Sequence, residues 1–266
     1  MNSKIKIVML IFFFFVSAMN IFTDSALDKI LSSGKIVVGT SADYPPYEFH
    51  LMNDKDGELV GIDIDIANFI GKELGVKVEI RNIVFHKLFN ELEKGNADLL
   101  IAGLNPTEKR KLYADFSIIY YTALQNMVIK KSDRKKIICL KDLRGRTVGT
   151  QSGSIQSEMA PSRVPGAKFM YFNSIDELIS GLKSGLLDAI ILEKPVADSY
   201  VLRNKNLMSV KCINSGKFEE PLGSAVAVKK GDYKLLKKIN DILIKLISGS
   251  KMNEIVENAK ILTNKQ

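Results

Sequence analysis

An alternation of strand and helix patterns, which occurs twice along the 266 residues, constrains the fold more than any other feature of this sequence. Short apolar runs at 35–40 and 98–104 predict buried strands, whereas Ile66, Ile70 and Leu74 recur at the spacing of one helix face. Strands that alternate with helices form parallel sheets covered by helices on both faces. Because the alternation starts again in the second half of the chain, the sequence predicts two α/β lobes with a cleft between them.

The first 25 residues differ in character from the rest of the chain. Lys4 and Lys6 precede an unbroken apolar run at 7–16, and polar residues follow it, which is the pattern of a secretory signal. A retained membrane anchor is the open alternative, although the run is shorter than the roughly 20 apolar residues of a span. No Cys lies near this segment, so a lipid-anchored N-terminus is not expected. We predict a cleaved signal peptide at 1–25 and a mature protein in the periplasm or outside the cell.

The basic balance of the chain does not indicate a nucleic-acid partner. The formal net charge of +8 falls to +7 without Lys4, Lys6 and Asp24. The remaining Lys residues are spread along the chain, and the one dense run, KKSDRKK at 130–136, is interpreted as a solvated linker. Export and the absence of a recognisable binding motif both argue against nucleic acid.

Cysteine and histidine provide no framework for a metal or another cofactor, so none is expected. Cys139 and Cys212 are far apart in sequence, and His50 and His86 lack the spacing of metal ligands. An exported protein can pair its two Cys residues, but both can equally be buried thiols.

The residues that follow the predicted strands have complementary chemistry. They are Ser41 to Tyr44, Phe85, Gly103 to Arg110, Gln151 to Ile155, and Glu193. Ligands of α/β folds bind at the carboxyl ends of the strands. This set provides a fixed cation, a carboxylate, aromatic faces and a helix N-terminus, which suits a free amino acid with its carboxylate, ammonium and side chain.

Five segments also resemble the successive motifs of the polar amino-acid-binding proteins, the solute receptors of amino-acid ABC transporters. They are GTSADYPPYEF at 39–49, GIDIDIANFIGKELG at 61–75, AGLNPTEKRKLYADFS at 102–117, LRGRTVGTQSGSIQ at 143–156 and LDAIILEKPVA at 187–197. The resemblance implies a two-lobed, type II periplasmic-binding-protein-like fold with two parallel or mixed sheets. It also implies a first lobe of 26–121 and 222–266 and a second lobe of 122–221, with a hinge at two crossings near 120–125 and 220–224.

The resemblance assigns the charged ends of the ligand to two side chains. Arg110 matches the arginine that binds the α-carboxylate with its planar pair of donors. The turn at 152–155, with Ser154 and Ile155, opens a helix whose N–H groups can receive the same carboxylate. Glu193 stands where the family usually has the Asp that holds the ammonium, and its extra methylene leaves the ammonium position open.

The remaining matches concern the ammonium and the ligand side chain. Gly103 and Asn105 match positions that contact the ammonium, although Asn105 replaces the common Ser or Thr. Tyr44 and Phe85 match two aromatics that sandwich the ligand side chain, and packing in the core is the alternative for both. Ser41 occupies a position where receptors for basic amino acids often carry Asp. A basic ligand is therefore less favoured but not excluded, since Asp43 and Glu48 lie nearby and can substitute.

Asp63 and Asp65 can suggest a metal pair, but the sequence provides no further carboxylate ligands at a suitable spacing. We interpret both residues as N-caps of the helix that follows.

The expected function is capture of a polar amino acid by a monomeric receptor that closes about a hinge and delivers the ligand to an ABC permease. Two alternatives remain open. An exported dehydratase similar to those acting on cyclic prephenate-like acids would use Glu193 as a general acid. A sensor of a signalling system is less favoured, because no signalling domain is recognisable in the sequence.

Overall fold

The computed structural model describes residues 25–51, 57–211 and 221–265. The predicted signal peptide at 1–25 lies almost entirely outside these ranges, and so does Cys212, with the question of its pairing with Cys139. Within the described ranges, no helix is both long enough and apolar enough to cross a bilayer.

The described strands belong to two five-stranded sheets and one small sheet. They are β1 (Lys35–Thr40), β2 (Asp43–Tyr44), β3 (Glu48–His50), β4 (Leu59–Val60), β5 (Lys77–Asn82), β6 (Leu99–Leu100), β7 (Ala114–Ala123), β8 (Gln125–Lys130), β9 (Thr147–Gln151), β10 (Lys168–Phe172), β11 (Ala189–Glu193), β12 (Leu207–Lys211) and β13 (Leu222–Lys229). The helices are α1 (Ala26–Ser33), α2 (Ile62–Leu74), α3 (Leu88–Glu93), α4 (Ile155–Arg163), α5 (Ile175–Ser184), α6 (Lys194–Arg203), α7 (Tyr233–Ser248) and α8 (Lys251–Asn264).

The first large sheet has the order β5-β1-β6-β13-β7, and the second has the order β10-β9-β11-β8-β12. In each sheet three neighbouring strands run parallel, as the strand–helix alternation predicts. The other two strands are added through antiparallel pairs, so one strand, β13 or β8, runs opposite to the rest. Both sheets are therefore mixed. We call the first sheet with α1–α3, α7 and α8 the first lobe, and the second sheet with α4–α6 the second lobe. The predicted two-lobed α/β fold is confirmed.

Two pairs of strands connect the lobes. β7 ends at Ala123 in the first sheet and β8 begins at Gln125 in the second, so one residue, Leu124, separates them. The connecting strands are also paired with each other. Leu222 of β13 pairs with Ala123, and Lys211 of β12 pairs with Asn126 of β8.

Helix boundaries follow local sequence signals. Ser174 and Glu177 form a capping box at the start of α5, and Pro195 lies in the first turn of α6, where its missing N–H is tolerated. An apolar stripe of the sequence is buried along α7. A second C-terminal helix, α8, follows after Gly249 and Ser250 and was not predicted.

A loop of two prolines is held against the start of α2. The Ile62 and Asp63 N–H groups donate to the carbonyls of Pro46 and Tyr47 at 3.0 and 2.8 Å. The N-cap of α2 is Gly61, whose φ of 126° is a conformation essentially restricted to glycine. The prediction that Asp63 and Asp65 cap this helix is wrong, because both lie inside its first turn and no side chain caps it.

We predict that Gly61→Ala destabilises the protein far more than Gly75→Ala, the matched control at the other end of α2. An added Cβ at Gly61 would collide with the Tyr47 backbone carbonyl, whereas at Gly75 it meets nothing. Gly75→Ala should lower the free energy of unfolding by about 1–2 kcal/mol because of its left-handed conformation alone. Gly61→Ala should lower it by more than about 3 kcal/mol because of strain and collision together. Urea denaturation measures both. Equal losses would contradict the packing of this loop against α2.

Candidate ligand-binding site

Ten residues from both lobes line one small cavity of about 10 Å³, here called the site cavity. They are Tyr44, Phe85, Gly103, Asn105, Arg110, Gln151, Ser154, Ile155, Gln156 and Glu193. Nine of them were singled out from the sequence. The structure thus brings the predicted strand-end residues together, and their individual roles toward a ligand remain predictions.

Arg110 is the buried cation of the site cavity and is 7% exposed. Its Nη1 donates to the backbone O of Asn105 at 3.0 Å, and its Nη2 donates to the backbone O of Gly153 in the second lobe at 3.1 Å. The guanidinium carbon lies 5.6 Å from the ring centres of both Phe85 and Phe89. Burial lowers the pKa of Arg110 to about 10, so the side chain is still a cation at neutral pH.

Glu193 is the buried carboxylate at the opposite side of the cavity and is 1% exposed. It ends β11 and is the N-cap of α6. The Tyr47 hydroxyl of the first lobe donates to its Oε2 at 2.6 Å. Burial raises the pKa of Glu193 to about 7, against the opposing effects of the Tyr47 hydroxyl and the Asn105 side chain.

The start of α4 provides the helix N-terminus that the sequence predicted. Ser154 is the N-cap, and its Oγ accepts the Ser157 N–H at 3.1 Å. The first N–H groups of a helix are not used within it and form its positive end. Gln156, in the first turn, donates through Nε2 to Gln125 Oε1 at 2.7 Å.

The two predicted aromatics line the cavity and also pack against their neighbours. The ring of Tyr44 stacks on Tyr47 with centres 5.5 Å apart, and it lies over Gly103, where an added Cβ would come within 3.2 Å of it. Phe85 is partly buried against the apolar cluster behind Arg110. Both residues therefore line the cavity, as predicted, and also pack in the core, which was the alternative considered for each.

Ser41 is the one predicted site residue that does not line the cavity. Its hydroxyl donates instead to Oε1 of Glu48 at 3.2 Å. The Glu48 side chain is completely buried, and its Oε2 has no hydrogen-bond partner within the described residues. Glu48 lies in β3, which pairs with β2 and sets Glu48 directly opposite Tyr44.

Asp63 holds the strand end that carries Gly103. Its two oxygens accept the Gly103 N–H at 2.7 Å and the Tyr120 hydroxyl at 2.8 Å. Burial raises the pKa of Asp63 to about 6, and burial with the neighbouring Asp63 raises the pKa of Glu48 well above its ordinary range. Of the two carboxyl groups, Glu48 thus has the stronger tendency to hold a proton. Across the described ranges, no group of three or more His, Cys, Asp and Glu side chains is arranged to hold a metal ion.

Asn105 connects the same strand end to β13 and to Glu193. Its Nδ2 donates to the backbone O of Gly223 at 3.0 Å, and the side chain also stabilises the Glu193 carboxylate. The amide thus lies beside the acid that the sequence predicts as the ammonium partner.

Sequence reasoning missed Tyr47 and Gln156 as members of the site. Tyr47 follows two prolines directly after a strand end, which is a position near the cleft in a fold of this type. Gln156 comes immediately after Ile155 in a helix whose N-terminus was already predicted to face the ligand. Both signals were present, but each depends on knowing which way the local turn points.

Two α/β lobes that enclose buried groups of opposite charge define a two-lobed solute-binding protein. Residues 36–259 match the model of the bacterial extracellular solute-binding proteins, family 3, and the chain belongs to this family.

The chain is similar to proteins of known name along most of its length. It is 38% identical over 224 residues to the arginine-binding extracellular protein ArtP of Bacillus subtilis (strain 168), covering 83% of this chain and 84% of that protein. It is 33% identical over 235 residues to the ABC transporter glutamine-binding protein GlnH of the same organism, covering 86% and 82%. A solved amino acid ABC transporter substrate-binding protein, AbpA of Streptococcus pneumoniae bound to L-arginine, has a TM-score of 0.84 and 33% identity, covering 90% of this chain and 100% of that one.

We predict that Glu193→Gln stabilises the protein at pH 8. The pKa of Glu193 rises from 4.5 to about 7 in the folded protein, so the folded state is penalised as pH increases from 4.5 through 7. Glutamine removes the charge and keeps an acceptor for Tyr47. The gain in the free energy of unfolding should be on the order of 2–3 kcal/mol at pH 8 and should vanish near pH 4.

Urea denaturation of both proteins at several pH values measures this difference. Glu108→Gln, a change at an exposed Glu, is the matched control and should have little effect at any pH. Loss of stability in Glu193→Gln at pH 8 would show that the surroundings of Glu193 favour its charge.

Proposed function

We propose that this protein captures a free amino acid in the site cavity, by closing its two lobes around it, and delivers it to the permease of an ABC transporter. The observation that carries the proposal is the presence of a buried cation, Arg110, and a buried carboxyl, Glu193, on the same small cavity. A zwitterion that enters a closed cleft loses its water, so each of its charges needs a partner there.

The arrangement of donors and acceptors supports one orientation of the ligand. The α-carboxylate would take the Arg110 guanidinium and the N-terminus of α4, replacing the carbonyls that Arg110 now contacts. The ammonium would take Glu193, replacing the Tyr47 hydroxyl as its partner. Gly103 and Asn105 would complete the ammonium site. Tyr44 and Phe85 would flank the ligand side chain.

The hinge is proposed at the two connections between the lobes, with 26–121 and 222–266 moving against 122–221. The site cavity is lined from both lobes, and its Tyr44, Arg110 and Glu193 side chains are buried, so ligand entry requires the lobes to separate. The hydrogen bonds from Arg110 to Gly153 and from Tyr47 to Glu193 would then break, since each connects one lobe to the other. These bonds are the closing contacts that a ligand would take over.

A basic amino acid such as arginine is the favoured ligand. ArtP is named as arginine-binding and the pneumococcal AbpA structure is bound to L-arginine, although GlnH, at lower identity than ArtP, is named as glutamine-binding. Ser41 lacks the carboxylate expected of a receptor for basic ligands, but its hydroxyl contacts Glu48, whose carboxyl group lies behind the cavity on the strand that pairs with Tyr44. A guanidinium near Glu48 would favour loss of its proton.

Export would place this capture outside the cytoplasm, with the signal peptide at 1–25 removed and no lipid anchor. The description of the family as extracellular supports this location. A monomer would then deliver the ligand to its permease in the membrane.

Titration calorimetry with arginine, its deaminated form guanidinovalerate and its decarboxylated form agmatine tests the proposal. Wild type should bind arginine and reject both analogues. Arg110→Ala should weaken arginine binding at least about thirtyfold, because removing one partner of a buried charge costs about 2–5 kcal/mol. Arg134→Ala, at an exposed Arg, is the matched control. Equal binding of guanidinovalerate and arginine would remove Glu193 as the ammonium partner and favour the dehydratase alternative.

Glu48→Gln tests the class of the ligand side chain. The change keeps the size of the residue and an acceptor for Ser41, but it removes the negative charge that a guanidinium requires. Arginine affinity should fall about tenfold or more relative to glutamine affinity, because the free energy of one charge-assisted hydrogen bond corresponds to such a factor. An equal change for both ligands would show that Glu48 supports the fold of the first lobe and does not select a basic ligand.

A further inference from the structure

Asp43 makes a contact between the lobes that the binding site does not need. It lies in β2 of the first lobe, and its Oδ2 accepts the Ile175 N–H of the second lobe at 2.8 Å. Ile175 is the first residue of α5, a helix of 10 residues. The cap residue Ser174 uses its hydroxyl for the Glu177 N–H, so Asp43 provides the acceptor for a different N–H of that first turn. The carboxyl group of Asp43 also faces the positive end of the helix.

Tyr200 adds a second connection at the same point. Its hydroxyl, on α6 of the second lobe, lies 3.1 Å from the backbone O of Asp43 and 3.0 Å from Oδ1 of Asp176. A tyrosine hydroxyl has one proton, so it donates to one of these oxygens at a time. Gln151 Nε2 also lies 3.5 Å from Asp43 Oδ2. Asp43 is therefore contacted by three elements of the second lobe.

Asp43 and its neighbour Tyr44 point in opposite directions. Successive side chains of a strand lie on opposite faces, and Tyr44 lines the site cavity whereas Asp43 does not. Beyond Asp43 the lobes stand apart around a cleft of about 390 Å³, lined by His50 from the first lobe and by Asp176 and Lys183 from the second. Asp43 lines this cleft and, with its bonds to Ile175 and Tyr200, connects the two lobes at its edge.

The geometry points to Asp43 as a positioning residue that latches the two lobes together, setting the balance between open and closed forms without selecting the ligand. This inference rests on the proposed function. A ligand that binds the closed form has an apparent affinity scaled by the fraction of protein that closes. Loss of the latch should therefore weaken every ligand by the same factor. It should act on the rate of dissociation, because the contact forms after the ligand has entered.

Stopped-flow measurement of arginine and glutamine binding to Asp43→Ala tests the latch. Dissociation of both ligands should accelerate about tenfold, as expected for one charge-assisted hydrogen bond, with their affinity ratio unchanged. Asp43→Asn keeps an acceptor for the Ile175 N–H and should recover most of the loss. Tyr200→Phe should raise both dissociation rates by a smaller factor. Asp241→Ala, an exposed Asp on α7 that pairs with Lys237, is the matched control and should leave the rates unchanged.

The outcomes separate the latch from the proposed function. A changed ratio of arginine to glutamine affinity would make Asp43 a ligand-selecting residue and overturn the latch, as would unchanged dissociation rates. If wild type binds neither amino acid, the proposed function fails, and small-angle scattering decides the latch alone. Asp43→Ala should then have a larger radius of gyration than wild type, and equal radii would overturn the latch.

Discussion

Charge buried between two lobes is the constraint on which the rest of the structure depends. Arg110 and Glu193 lie on opposite lobes, and each is hydrogen-bonded to the lobe that it does not belong to. Neither charge can be left without a partner once water is excluded. The aromatic rings, the N-terminus of α4 and the strand ends held by Asp63 are arranged around this pair. The carboxyl groups of Glu48, Asp63 and Glu193 all have raised pKa values for the same reason, which is burial. The site is thus maintained at some expense of stability.

The parts of the fold with regular local patterns could be predicted from the sequence. The helical spacing of α2 and the apolar run of β1 are local signals, and both were found. Strand β7 gave no such signal, because it buries every third residue, at Ala114, Ser117, Tyr120 and Ala123. Two register shifts against β13 place extra residues on β7 and remove the two-residue period that identifies a strand. Strands β8 and β12 were missed because each joins its sheet through an antiparallel pair, outside the strand–helix–strand units that the alternation shows.

The convergence of the site residues could be predicted, because strand ends converge wherever the sheet is parallel. Arg110, Gln151 and Glu193 follow from that rule and from the resemblance to the family. Ser41 was predicted by the same rule but does not line the cavity, since its environment depends on the pairing of β2 with β3, which no short-range pattern shows. Tyr47 depends in turn on the close approach of a proline loop to Gly61. Tertiary contacts of this kind decide which of two neighbouring residues faces a cavity.

The paired connections between the lobes have a mechanical consequence. One connection runs from β7 to β8 and the other joins β12 to β13, and these strands are neighbours in both sheets, through Ala123 with Leu222 and Asn126 with Lys211. Two connections whose ends are paired side by side would bend readily about a single line and resist torsion. In the proposed closure, the relative motion of the lobes would therefore be mainly a rotation about that line. Contacts between residues far apart in the chain, such as Asp43 with Ile175 and Tyr47 with Glu193, would then form again in the same register at each closure.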